Sequence, residues 1–188
     1  MQLHQKLTWV CAVQFHSVFG TCFFIFLTAL FSGEARAAEF NVPVAARVVS
    51  FRQPAPVRDV VAAIIYDPGD PASSAEAASI EKQVGGGLTA GKATIRVRRV
   101  PVGQLAALTG AQVAFVTAGL RDYQTDIAAA AQRSGALTIT SDLGCVTAGR
   151  CAVAVSGGTK VQITVSRAAC KAARVQFGSA FLMLVKEI

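Results

Sequence analysis

"VVAAIIYDPGDPASSAEAASIEKQV", residues 60–84, reads as a strand, a sharp turn and a helix in immediate succession. Val60 to Tyr66 is a continuous apolar run rich in β-branched side chains, the pattern of a strand covered on both faces. Asp67-Pro68-Gly69-Asp70-Pro71 ends it, because proline and glycine interrupt regular backbone. The residues that follow predict a helix, with Ser73 or Asp70 as its N-cap. Glu76 stands where a capping Ser73 would need its reciprocal partner. Gly85-Gly86-Gly87 stops the helix. A buried strand followed at once by a helix is the repeating unit of an α/β sheet.

The unit recurs downstream. "ATIRVRRV" (Ala93 to Val100) alternates and predicts a second strand. "PVGQLAALTG" predicts a short helix, with Pro101 near its start and Gly110 just past its end. "AQVAFVT" (Ala111 to Thr117) is a third strand, Asp122 to Arg133 a helix closed by Gly135, and "ALTIT" (Ala136 to Thr140) a fourth strand. The pattern then changes. "CAVAVS" (Cys151 to Ser156) and "KVQITVS" (Lys160 to Ser166) flank a glycine-containing joint and predict an antiparallel hairpin. "RAACKAA" follows as a helix capped by Ser166. "FGSAFLMLVKEI" predicts a closing apolar helix with Phe181, Leu182 and Val185 on one side. Upstream, "NVPVAARVVSF" (Asn41 to Phe51) fits a strand and a short helix alike, and "RQPAPVR" (Arg52 to Arg58) reads as a linker. The expected fold is α/β, a single three-layer lobe. It has a mostly parallel sheet, a C-terminal antiparallel hairpin and helices on both faces.

Residues 1–37 predict a secretory signal peptide. Lys6 precedes an apolar run densest from Cys22 to Phe31, and Ala35-Arg36-Ala37 supplies the small residues of a cleavage site. An uncleaved anchor is the alternative, because the apolar stretch reaches back to Leu7. Cleavage after Ala37 leaves residues 38–188 as one domain in the periplasm. His4 and His16 leave with the signal. Lys6, Arg36 and Glu34 leave too, so 16 of 18 basic and 10 of 11 acidic residues remain, a net charge of +6. A chain without imidazole builds neither Ser-His-Asp nor Cys-His nucleophiles, and most zinc sites need one as well. The expectation is a protein without catalysis, metal or cofactor. The basic residues are scattered, so a nucleic-acid partner is not expected. The exception is Arg96-Val97-Arg98-Arg99, a candidate contact for an acidic partner or anionic lipid. Its alternation puts Arg96 and Arg98 on one face and Arg99 on the other.

Asp67, Asp70, Ser73 and Ser74 lie between a strand's carboxyl end and a helix N-terminus, where α/β proteins hold small polar ligands. They are candidate ligand-binding residues. The same residues also make a capped turn. Asp122 and Asp126 lie one helical turn apart, where carboxylates complement the helix dipole. "GGGLTAGK" (Gly85 to Lys92) follows a helix rather than opening one, unlike a phosphate-binding loop.

"KVQITVSRAACKAARVQFGSAFLMLVKEI" (Lys160 to Ile188) and "LTITSD" (Leu137 to Asp142) resemble the closing signature of the YfiR-like family of periplasmic signalling proteins. That signature is a charged alternating strand ending in Asn, an Ala-rich helix, a short apolar strand and a Ser-Leu-Leu helix. Ser166 stands where the family favours Asn, and Arg174 where it favours Gly. The front half, "AAIIYDPGDPASSAEAASIEK" (Ala62 to Lys82), is similar to the first strand and helix of a transporter substrate-binding lobe. The first resemblance implies a regulator that docks on the periplasmic portion of an inner-membrane diguanylate cyclase and represses it, lowering cyclic-di-GMP. It also implies homodimers and disulfides. The second implies a periplasmic small-ligand-binding lobe.

The disulfide is carried over onto Cys145 and Cys151 in "CVTAGRC". Two thiolates are half a tetrahedral zinc site, and a catalytic redox pair prefers Cys-x-x-Cys at a helix start. Five intervening residues with Gly149 beside Arg150 look instead like a turn between strands, stapled by the bond. Three cysteines allow three single pairings. Cys170 is expected to be buried and unpaired, with pairing to Cys145, to Cys151 or to another chain as alternatives.

Overall fold

The computed structural model describes residues 40–157 and 160–188. The expected signal segment and its cut after Ala37 lie outside the described residues, as do Gly158 and Thr159 of the hairpin joint. The chain begins with α1 (Val42–Ser50), β1 (Arg52–Gln53), β2 (Val60–Tyr66), α2 (Pro71–Val84), β3 (Leu88–Ala90) and β4 (Ala93–Pro101). A 3-10 segment (Val102–Leu108), β5 (Val113–Val116), a 3-10 turn (Arg121–Tyr123), α3 (Gln124–Ser134) and β6 (Leu137–Thr140) follow. The remainder is α4 (Leu143–Thr147), β7 (Val153–Ser156), β8 (Gln162–Val165), α5 (Arg167–Ala172), β9 (Gln176–Phe177), α6 (Ser179–Leu182) and β10 (Lys186–Glu187).

Eight strands form one sheet in the order β10-β8-β7-β6-β5-β2-β4-β3. Strands β4, β2, β5, β6 and β7 run parallel, and β3 and β8 join antiparallel. Arg99, Ile64, Phe115, Ile139, Val153 and Val165 are successive partners in one row across six strands. Side chains alternate along each strand. Ala62, Ile64, Val113, Phe115, Leu137 and Ile139 therefore share one face, packed with buried residues of α1, α2 and α5. Ala63, Ile65, Ala114 and Val116 share the other, under the first 3-10 segment and α3. Val146 of α4 packs with Ala154 of β7. Two apolar clusters separated by a sheet make three layers, as the strand–helix alternation predicts.

The ambiguous stretch from Asn41 is a helix. The Asn41 side chain accepts the Val44 N–H at 3.1 Å, and Val42, Ala45, Ala46, Val48 and Val49 bury one stripe. Three expectations are corrected, and one strand is added. Arg52 and Gln53, read as linker, pair with β9 in a separate two-stranded sheet. Strand β3 was not foreseen; Gly91, at φ +63°, turns it back onto β4. Residues 143–147 form α4 rather than a turn between strands, because the Asp142 side chain accepts the Gly144 N–H at 2.8 Å and starts a helix. The closing helix spans only Ser179–Leu182, and the chain then pairs as β10 with β8. The reason is nonlocal. Strand β8 would otherwise present a bare edge, and the last residues cover it. The Ile188 N–H donates to Val165 O, and the Ile188 carbonyl accepts the Arg167 N–H, each at 3.0 Å.

Candidate functional site

Strand order reverses at β2, with β4 on one side and β5 on the other. In open α/β sheets such a reversal leaves a crevice at the carboxyl ends of the strands. Here the loops after β2 and β5 are laced together by their own side chains. Thr117 gives its hydroxyl proton to Ile65 O at 3.0 Å. Ser73 therefore donates to Thr117 across 2.7 Å, and it accepts the Asp67 N–H at 2.9 Å. Ser73 and Thr117 are both 1% exposed. Asp67 accepts the Gly69 N–H at 2.8 Å, and Ser74 donates to Asp67 O at 3.2 Å. Asp70 is the α2 N-cap, accepting the Ala72 N–H at 2.9 Å. Gly119 adopts φ +84°, and a Cβ there would stand 2.6 Å from Asp70 Oδ2. Only glycine permits so close an approach of the two loops. The structure thus brings Asp67, Asp70, Ser73 and Ser74 together, and each is engaged within the chain.

Glu76 was expected to complete a capping box with Ser73. With Pro71 as the first helical residue and Asp70 as cap, Glu76 lies beyond the first turn. Its carboxylate instead spans two other loops. Oε2 accepts the Ala118 N–H at 2.6 Å, and Oε1 accepts the Ser141 hydroxyl at 3.4 Å. Burial raises its pKa, against the opposing pull of these two donors. Beyond Ser141 the polar band continues. Asp142 accepts from Gln124 Nε2 at 2.9 Å, and Gln124 accepts from Arg150 Nη1 at 3.4 Å. Arg150 adjoins Cys151, so the band runs from the β2 loop to the disulfide. Sequence reasoning missed Gln124, Thr117 and this use of Glu76. The one local signal was Pro71, which marks Asp70 as the cap.

Glu76 yields a test. Glu76→Ala leaves the Ala118 N–H without its acceptor and is expected to cost about 1–2 kcal/mol. Glu76→Gln keeps a carbonyl oxygen but removes the charge, and is expected to match or exceed the parent's stability near neutral pH. Folding raises this acid's pKa, so its linked stability is present below the ordinary glutamate value and is lost as pH rises through the raised one. The parent should therefore gain on Glu76→Gln as the solution is acidified from neutrality. Urea unfolding of the three proteins at neutral and mildly acidic pH reads both effects.

Cys145 and Cys151 form a disulfide, with Cα atoms 5.2 Å apart. Both are buried, and the bond ties α4 to the residues leading into β7. It does not span a strand-to-strand turn, because α4 occupies that stretch. Cys170 is free and buried, 7% exposed. Burial, and secondarily the charge of Glu187, push its thiol up to about 11. It is therefore protonated and a weak nucleophile at neutral pH. Among the described residues, no three His, Cys, Asp or Glu side chains converge as a metal-ligand set.

The three arginines of β4 divide between the sheet's faces as their alternation predicts. Arg96 meets Asp59 at 3.3 Å and donates to Gly86 O at 3.0 Å. Arg98 donates to the carbonyls of Ala107 and Thr109, on the side of the 3-10 segment. Arg99 reaches Glu81 of α2 at 2.9 Å and lies 6.0 Å over the Tyr66 ring. Each guanidinium is engaged within the chain, and Arg99 faces away from the other two. Among the described residues no helix is long and apolar enough to cross a membrane.

A family model described as YfiR/HmsC-like matches residues 49–186. No curated protein matches the sequence. Among solved structures, a conserved domain protein from Vibrio cholerae O1 biovar El Tor str. N16961 is similar in fold, with a TM-score of 0.61 at 8% sequence identity. The match covers 78% of this chain and 59% of that one, so this chain spans less than two thirds of that protein's length.

Proposed function

The chain belongs to the YfiR/HmsC-like family, and from that premise we propose that it is a non-catalytic periplasmic regulator of cyclic-di-GMP signalling. In this reading it docks on the periplasmic portion of an inner-membrane signalling enzyme, such as a diguanylate cyclase, and represses it. The observation that carries the reading is the family match across nearly all of the described residues. The disulfide supports it, because such bonds persist in oxidising compartments such as the periplasm. Deleting the gene is expected to raise cellular cyclic-di-GMP and surface attachment, and restoring it to lower both. Unchanged nucleotide levels would sink the proposal.

A small-ligand-binding lobe is the second reading, favoured by the position of the Asp67–Ser74 loop where the strand order reverses. A ligand there would have to displace hydrogen bonds the loops already make with each other. A melting temperature raised by an amino acid or small anion would favour it over the regulator.

A further inference from the structure

We propose that the C-terminal edge of the lobe rests on an anionic lipid surface, with Met183 and Leu184 entering the headgroup layer and Lys171 contacting a lipid phosphate. Met183 and Leu184 are 81% and 82% exposed, at the turn between α6 and β10. Their neighbours Phe181 and Leu182 pack against the core, so the pair is held out by a fixed base. Leu182, next to the pair in sequence, lines a groove of about 510 Å³ together with Arg167, Lys171 and Glu187, which places α5's cations beside the base of the apolar tip. Charge is distributed unevenly along the chain. From Leu143 onward it carries Arg150, Lys160, Arg167, Lys171, Arg174 and Lys186 against Glu187 alone. Glu187 is already paired with Arg167, which leaves Lys171 as the groove's cation without an ion pair among the described residues. Protruding apolar side chains flanked by lysine and arginine are the chemistry that binds an anionic bilayer surface. This inference does not depend on the regulatory reading.

The test is co-sedimentation of the protein, recovered from the cell envelope, with phosphatidylcholine vesicles with or without phosphatidylglycerol. All variants share one N-terminal segment, so differences between them report this edge. Binding is expected with phosphatidylglycerol, weak without it, and diminished by salt. Met183→Ser with Leu184→Ser should lower the partition coefficient about tenfold or more. Lys171→Glu should lower it on the order of 20-fold. These side chains are exposed, and urea unfolding checks that the variants fold. Equal binding to both vesicle types, or binding indifferent to both variants, overturns the proposal. So does an edge that captures a membrane protein through Met183 and Leu184 but ignores vesicles, because it would then be a protein-docking surface.

Discussion

Replacing Phe115 with alanine is expected to remove about 3–5 kcal/mol of folding stability, the largest loss from any single change considered. Phe115 is fully buried in β5, the fifth of eight strands across the sheet. It lies between Ile64 and Ile139 in register, and its ring meets Phe40 edge-on at 5.4 Å. Strands hold these neighbours on both sides, so the site cannot collapse around the void, and cavity cost adds to lost burial. A domain of this size is stable by about 5–15 kcal/mol, so the variant should sit near the limit of folding. Phe115→Leu keeps most of the volume and should cost much less. Urea unfolding ranks the two. A Phe115→Ala loss under about 1 kcal/mol would mean that the ring is not at the centre of the core.

Changing Cys145 and Cys151 together to alanine is expected to cost about 2–3 kcal/mol. The cross-link joins residues only six apart, so it removes little entropy from the unfolded chain compared with a long loop. Its local effect should be larger than its size suggests. Helix α4 has five residues, too few to persist without packing and the Asp142 cap. The Arg150–Gln124–Asp142 contacts depend on the same short segment. Amide exchange should therefore quicken between residues 143 and 152 before the rest of the sheet opens. Reducing agent should lower the parent's urea midpoint toward that of the double variant and leave the variant unchanged. A parent indifferent to reduction would show that packing alone holds α4 in place.

The strand–helix alternation from Val60 to Thr140 was legible because strands buried on both faces leave continuous apolar runs. Gly and Pro mark the joints between them. The antiparallel hairpin β7–β8 was legible from two short apolar strands around glycine. The closing segment was misread because "SAFLMLV" has a helical apolar period, while its outcome depends on the open edge of β8. Residues Leu143 to Thr147 fold as a helix because Asp142 caps them, a signal that the cysteine spacing does not carry. At the candidate site, Asp70 and Ser73 stood out as capping residues. Thr117 and Gln124 carry no local pattern that marks them.

The sequence by itself determined the layering, the order of most strands and helices, and the absence of histidine after Ala37. These follow from local periodicity and composition, which short-range physics records residue by residue. Only the tertiary structure decided what the polar side chains do. Glu76 meets Ala118 and Ser141, 42 and 65 positions away. No local pattern encodes a partner at that distance; it is set when packed strands bring the ends of separate loops within hydrogen-bonding reach.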